Sequence, residues 1–210
     1  MFGLVHEYGK PNCCEANCAK IQFLGEGFDI RPIIVLRRQD SFLESLYNQS
    51  LKHGETRDFT SFVHALPLDN YHWNDVVETY IENFGADKVT VVPFEKKVLE
   101  TADRMNFIEG IFLALGLDMK VDISNLPIKN PSLPERAMEI QRPANQLLSR
   151  EEAQALAAHF VDNMPKLPSE GYRLFPEGAR ERLLDRYREL NQRLFTTRLS
   201  AYDPTYYVNS

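Results

Sequence analysis

The sequence predicts an α/β protein, a parallel sheet with flanking helices and a helix-rich C-terminal part. Three observations carry that expectation. Ile33, Ile34, Val35 and Leu36 make a continuous apolar run after Pro32, and Val89, Val91 and Val92 make a second one ahead of Pro93. Short, bounded runs rich in β-branched residues read as buried strands, and strands buried on both faces belong to parallel sheets. The segments between and after these runs repeat their apolar residues at helical spacing, and such segments outnumber the strands. At 210 residues the chain can bury a sizeable core, and a single domain over 1–210 is expected.

The elements follow in order. GKPNCCEANC reads as loop or a ragged helix start, and Ala19 to Leu24 as the end of a short helix stopped by Gly25 and Gly27. After the first strand, Phe42, Leu43, Leu46, Tyr47 and Leu51 recur at helical spacing. Asp40 or Ser41 is expected to cap that helix, with Glu44 as capping-box partner and Gly54 as its stop. Phe59 to Leu66 reads as a short helix broken by Pro67. Asn74 or Asp75 opens another, with Val76, Val77, Tyr80, Ile81 and Phe84 on one face. A strongly apolar helix is expected over 103–115, and a Pro- and Asn-rich loop over 125–134. Pro134 opens the next helix, and Ser149 with Glu151 and Glu152 caps the one after it. The last helix runs from Gly178 to about Leu199. Leu183, Leu184, Tyr187, Leu190 and Leu194 form its apolar stripe, and its other face is charged.

Composition narrows the function classes. Lys and Arg total 24 against 30 Asp and Glu, a net charge of -6, which is the wrong sign for a general nucleic-acid binder. A few focused cations still suffice for an anionic ligand. No apolar run is long enough to span a bilayer, and MFGLVHEYGKPNCC has neither the basic flank nor the apolar core of a secretory signal. Cys13, Cys14 and Cys18 are an odd, clustered set and not a disulfide framework. The cytoplasm is the expected compartment.

The strongest chemical signal is IVLRRQDSFLESLYNQ, residues 34–49. Open parallel sheets bind ligands beyond their carboxyl strand ends, where Arg37 and Arg38 fall. An Arg fork holds phosphate through paired charge-assisted bonds, a following helix start favours an anion, and Ser45 adds a hydroxyl about one turn on. The plain alternative is an Arg pair solvating a strand end.

LRRQDSFLESLY resembles the 3'-phosphate-binding segment of sulfotransferases that use 3'-phosphoadenosine 5'-phosphosulfate (PAPS). Arg37, Ser45 eight residues on, and Tyr47 match the family's spacing. Arg38 and Gln39 replace its common Asn and Pro, a variant similar to bacterial and carbohydrate-type members. KVTVVPFE at 88–95, LALGL at 113–117, KNPSLP at 129–134 and LSREEAQALAAHF resemble later family segments in the right order, covering about 30–165. The resemblance implies a P-loop-NTPase-like fold and transfer of a sulfuryl group from PAPS to a carbohydrate or small-molecule hydroxyl. Arg37, Ser45 and Arg38 would bind the nucleotide, and no metal would be required. Members also carry an N-terminal strand and a Gly-rich loop with Lys, Ser and Thr, which wraps the 5'-phosphosulfate. Nothing before Arg37 has that form, so the fold is expected to be incomplete at its N-terminus. A second copy of the chain could then cover the open sheet edge. Glu7, after the strand-like Leu4 and Val5, is the candidate general base, with His6 beside it as the alternative. The other reading is an inactive sulfotransferase-like binding or interaction protein, or a fragment.

Other clusters read more plainly. CCxxxC with His6 does not make a good zinc set, because adjacent cysteines point in different directions and a structural site wants four ligands. His53, His64 and His72 read as surface or capped histidines. Tyr71, His72 and Trp73 read as packing a loop against the core, with a sugar or nucleobase platform as the alternative. Arg180, Arg182, Arg186, Arg188, Arg193 and Arg198 interleave with Glu181, Asp185 and Glu189, a pattern of solvated helix face. The tyrosines of YDPTYYVN are suited to covering an edge or a partner surface.

Overall fold

A computed structural model describes residues 13–94, 111–113, 115–117, 132–164, 174–200, 202 and 204–208. Its elements are α1 (Cys13–Leu24), β1 (Ile33–Leu36), α2 (Gln39–Lys52), α3 (Phe59–His64), a 3-10 turn (Leu68–Tyr71), α4 (Trp73–Phe84), β2 (Thr90–Pro93), α5 (Glu135–Leu147), α6 (Arg150–Asn163), α7 (Ala179–Thr197) and α8 (Thr205–Val208). The expected helix over 103–115 and loop over 125–134 lie mostly outside the described residues.

Both strand runs form strands, and they pair with each other in parallel, Ile33 opposite Thr90 and Leu36 opposite Pro93. Among the described residues the sheet has these two strands and no more. The other regular elements among the described residues are helices. That corrects the expected fold class. A P-loop-NTPase-like sulfotransferase fold is organised around a multistranded parallel sheet, and an open two-stranded pair among helices is not one. The expectation failed at the step from local runs to global architecture: two buried strands are compatible with a large sheet but do not imply it.

The chain divides into two compact units. The first gathers residues 1–39, 67–125 and 181–210. Its buried set includes Leu36, Tyr71, Trp73, Val77, Val92, Tyr187, Leu194 and Tyr207. Here α1 packs on α4, with Gln22 Nε2 donating to Asn83 O at 3.0 Å. Two amide side chains in this core are matched to each other. Gln39 and Asn191, both almost fully buried, exchange two side-chain hydrogen bonds of 3.0 Å, and Gln39 Nε2 also reaches Tyr71 O. Tyr187 donates its hydroxyl to Leu68 O at 2.7 Å, and burial raises its pKa. In the tyrosine-rich tail, Tyr207 packs on Phe195 and its hydroxyl donates to Leu36 O at 3.3 Å.

The second unit gathers residues 40–66 and 126–180. Leu43, Leu51, Phe62, Leu133, Ala137 and Ala157 are among its buried residues. Amide side chains act as backbone substitutes within it. Asn48 accepts from Leu133 N and donates to Leu133 O, while Asn145 Nδ2 donates to the carbonyls of Leu51 and Glu55. Such bonds tie segments far apart in sequence without regular structure. Ser149 and Glu152 form the full capping box at the start of α6, as their spacing foretells.

Glu55 is a well-connected carboxylate of this unit. Its Oε1 accepts from the backbone N–H groups of Thr56 and Arg57 and from Arg57 Nε, and its Oε2 meets Arg57 Nη2 at 2.6 Å. The Arg57 side chain, then burial partly opposing it, then the backbone bonds set its pKa, which falls below the ordinary 4.5. A lowered folded-state pKa contributes stability that is present above the unfolded value and lost as pH falls through the folded one. Glu55→Gln is therefore expected to lower the urea midpoint at pH 7 and to leave it nearly unchanged at a pH below the lowered pKa. Equal losses at both pH values would contradict this.

Candidate functional site

The register of the strand pair builds the site. With Leu36 opposite Pro93, the next pair along the two parallel strands is Arg37 and Phe94, and Phe94 N donates to Leu36 O at 2.7 Å to extend the ladder. Parallel pairing puts both carboxyl ends on the same side. The Arg37 guanidinium carbon consequently lies 5.3 Å from the centre of the Phe94 ring. Such a stacked cation is held in place by the ring quadrupole. Trp73 Nε1 donates to Arg37 O at 2.7 Å, which fixes the backbone from the other direction. Arg37 is half-buried, and its Nε is enclosed with no hydrogen-bond partner. A buried donor on a charged group with no acceptor is costly, which singles this atom out.

The other sequence candidates separate. Arg38 lies at the same strand end, half-buried, and is engaged with other groups. Ser45 sits half-buried on α2 in the second compact unit, whereas Arg37 belongs to the first. Glu7 and His6 lie outside the described residues. Phe94 and Trp73 are the residues that sequence reading left out of this site. The signal for Phe94 was the position one past the apolar run, symmetrical with Arg37 on the partner strand.

The start of α2 also differs from expectation. The helix begins at Gln39, so neither Asp40 nor Ser41 caps it, and Glu44 is no capping-box partner. Asp40, fully buried, and Glu44, with 8 % of its side chain exposed, both turn to Arg180, at 2.5 and 2.6 Å. Arg180 in turn lies 4.9 Å from the Phe175 ring centre. This first turn thus carries its own carboxylate, which already meets the helix's preference for negative charge there.

A cleft of about 200 Å³ lies elsewhere in the first unit, lined by Cys13, Cys14, Glu15, Asp69, His72, Asp75 and their neighbours. His72 Nδ1 lies 3.5 Å from Asp75 Oδ2, and its ring packs edge-on to Tyr187. Tyr71 and Trp73, by contrast, are core residues, so the aromatic cluster packs as expected. His53 and His64 are exposed. Arg186, Arg188 and Arg198 pair with Asp69, Asp185 and Glu78 on the solvated side of α7. No helix among the described residues is long and apolar enough to cross a membrane.

Fold and site define an open parallel strand pair among helices, with a stacked arginine at its carboxyl end. No family model, curated protein or solved structure matches the chain. Together with the two-stranded sheet, this overturns the sulfotransferase resemblance and the sulfuryl-transfer activity, active or vestigial, that it implied.

Proposed function

We propose that the protein binds a phosphorylated small molecule at the carboxyl end of the parallel strand pair, through Arg37. Binding alone is proposed. The observation that supports it is the enclosed Arg37 Nε with no acceptor. An oxyanion that reaches the Nε edge of the guanidinium as the enclosing groups move aside would receive a charge-assisted pair of bonds and remove that orphan. Phe94 holds the guanidinium plane in advance, so little rotamer entropy is lost on binding. The ligand class follows from the fork: a planar two-point donor favours phosphate or carboxylate. A 3'-phosphorylated adenosine nucleotide serves as the probe, because it presents phosphates on an organic frame and can be compared with adenosine, which presents none.

The test is calorimetric titration of the full chain with 3'-phosphoadenosine 5'-phosphate, with adenosine and inorganic phosphate as comparators. The nucleotide is expected to bind, adenosine not to bind, and Arg37→Ala to weaken affinity by at least about tenfold, the loss of a bond worth roughly 1.4 kcal/mol or more. Equal affinity in Arg37→Ala, with its circular dichroism unchanged, would rule the site out.

A further inference from the structure

We propose that Cys13 and Cys14 form a vicinal dithiol site for a trivalent arsenical, a neutral thiophilic ligand of the arsenous-acid class. The two sulfurs lie 3.9 Å apart, so the side chains converge where adjacent cysteines were expected to diverge. Both are half-buried, and both line the 200 Å³ cleft, which leaves room for a ligand of a few atoms. The cleft's wall comes from the start of α1 and from the 3-10 turn and α4. Cys13 and Cys14 lie near His72 and Asp75, while Gln22 lies near Asn83, so α1 and α4 run parallel and present their amino ends together. Asn70 lines the same cleft, and its buried Nδ2 has no acceptor.

Distance alone does not choose the ligand. Two thiolates on one tetrahedral zinc, at Zn–S near 2.3 Å, would also sit about 3.8 Å apart. Charge and ligand number do choose. A zinc ion needs deprotonated sulfur and further protein ligands. Burial first, and then the neighbouring Cys13 thiol, push the Cys14 pKa up to about 12, which adds to the cost of the deprotonation that zinc requires. Among the described residues no group of three or more His, Cys, Asp and Glu is gathered to hold a metal. A trivalent arsenic takes neutral thiols. Each As–OH bond breaks as an As–S bond forms, and each thiol proton leaves on the departing hydroxide as water. Arsenic and sulfur keep their oxidation states, and the product is uncharged. The third arsenic substituent stays in the cleft, where an oxygen can accept from Asn70 Nδ2. Cys18 is fully buried and does not line the cleft.

The experiment uses the reduced, folded full chain and phenylarsine oxide, which joins two thiols. Intact mass should show one arsenical per chain. Alkylation in denaturant with peptide mapping should then find Cys13 and Cys14 protected and Cys18 alkylated. Cys13→Ser and Cys14→Ser should each weaken binding more than tenfold, while Cys18→Ala binds as the parent does. Absence of an adduct, protection of Cys14 with Cys18, full binding by Cys13→Ser, or preferential retention of zinc over the arsenical would each overturn the proposal. The mapping needs no variant, so it stands even where a substitution impairs folding.

Discussion

Arg180→Met is expected to destabilise the chain by about 3–5 kcal/mol, the cost of leaving buried carboxylates without their cation. Asp40 and Glu44 have almost no exposure and both bind this guanidinium, at 2.5 and 2.6 Å. The Arg180 side chain is 29 % exposed, so the network is open at one edge. Were the carboxylates equally open, the loss would be only about 0–1 kcal/mol, as for a surface pair. Burial of the acids decides for the larger figure. The triple variant Asp40→Asn, Glu44→Gln, Arg180→Met removes all three charges, and should recover most of the loss, because the desolvation cost goes with them. Urea denaturation checks both. A loss below about 1 kcal/mol for Arg180→Met would mean that water reaches the carboxylates.

Trp73→Ala is expected to cost a similar amount, about 3–5 kcal/mol, since a large ring is removed from a filled core. Trp73 is 5 % exposed and packs edge-on to Tyr71, with ring centres 6.0 Å apart. Trp73→Phe separates two contributions. It keeps most of the ring but removes the donor to Arg37 O, and should cost nearer 1 kcal/mol for the lost hydrogen bond. Trp73 is the only tryptophan, so circular dichroism rather than fluorescence must follow the variants. If Trp73→Phe weakened nucleotide binding without a matching loss of stability, the indole would be shown to position the strand end.

Local structure was legible in the sequence where short-range chemistry decides it. The runs at Ile33 and Val91 became strands of the expected parallel sense, and Ser149 with Glu152 became the expected capping box. Pro134 does precede a helix that begins at Glu135. Misreadings arose where a distant residue intervenes. Asp40 does not cap α2 because Arg180, 140 positions away, claims its carboxylate. Asn191 lies within the apolar stripe of α7 and is buried because Gln39 supplies a matching amide from 152 positions away. Neither pairing leaves a periodic trace. The largest error was global: two parallel strands with helices between them were extended into a multistranded sheet, although nothing in either run specifies how many neighbours it has. The position of Arg37 at a strand end is legible in the sequence, but its contact with Phe94 is not, because that contact depends on register. Adjacency in sequence predicts that Cys13 and Cys14 diverge, whereas their sulfurs lie 3.9 Å apart.

The most direct test of the binding proposal is to watch Arg37 Nε itself. Its enclosed N–H should exchange slowly and give a resolved 15N–1H arginine side-chain resonance, assigned by its absence from Arg37→Lys. Titration with 3'-phosphoadenosine 5'-phosphate is predicted to shift that resonance downfield in proportion to occupancy, as the orphaned donor gains an oxyanion acceptor, while adenosine leaves it in place. A resonance that stays unmoved at saturating nucleotide would contradict the account, since the ligand would then bind elsewhere or not at all.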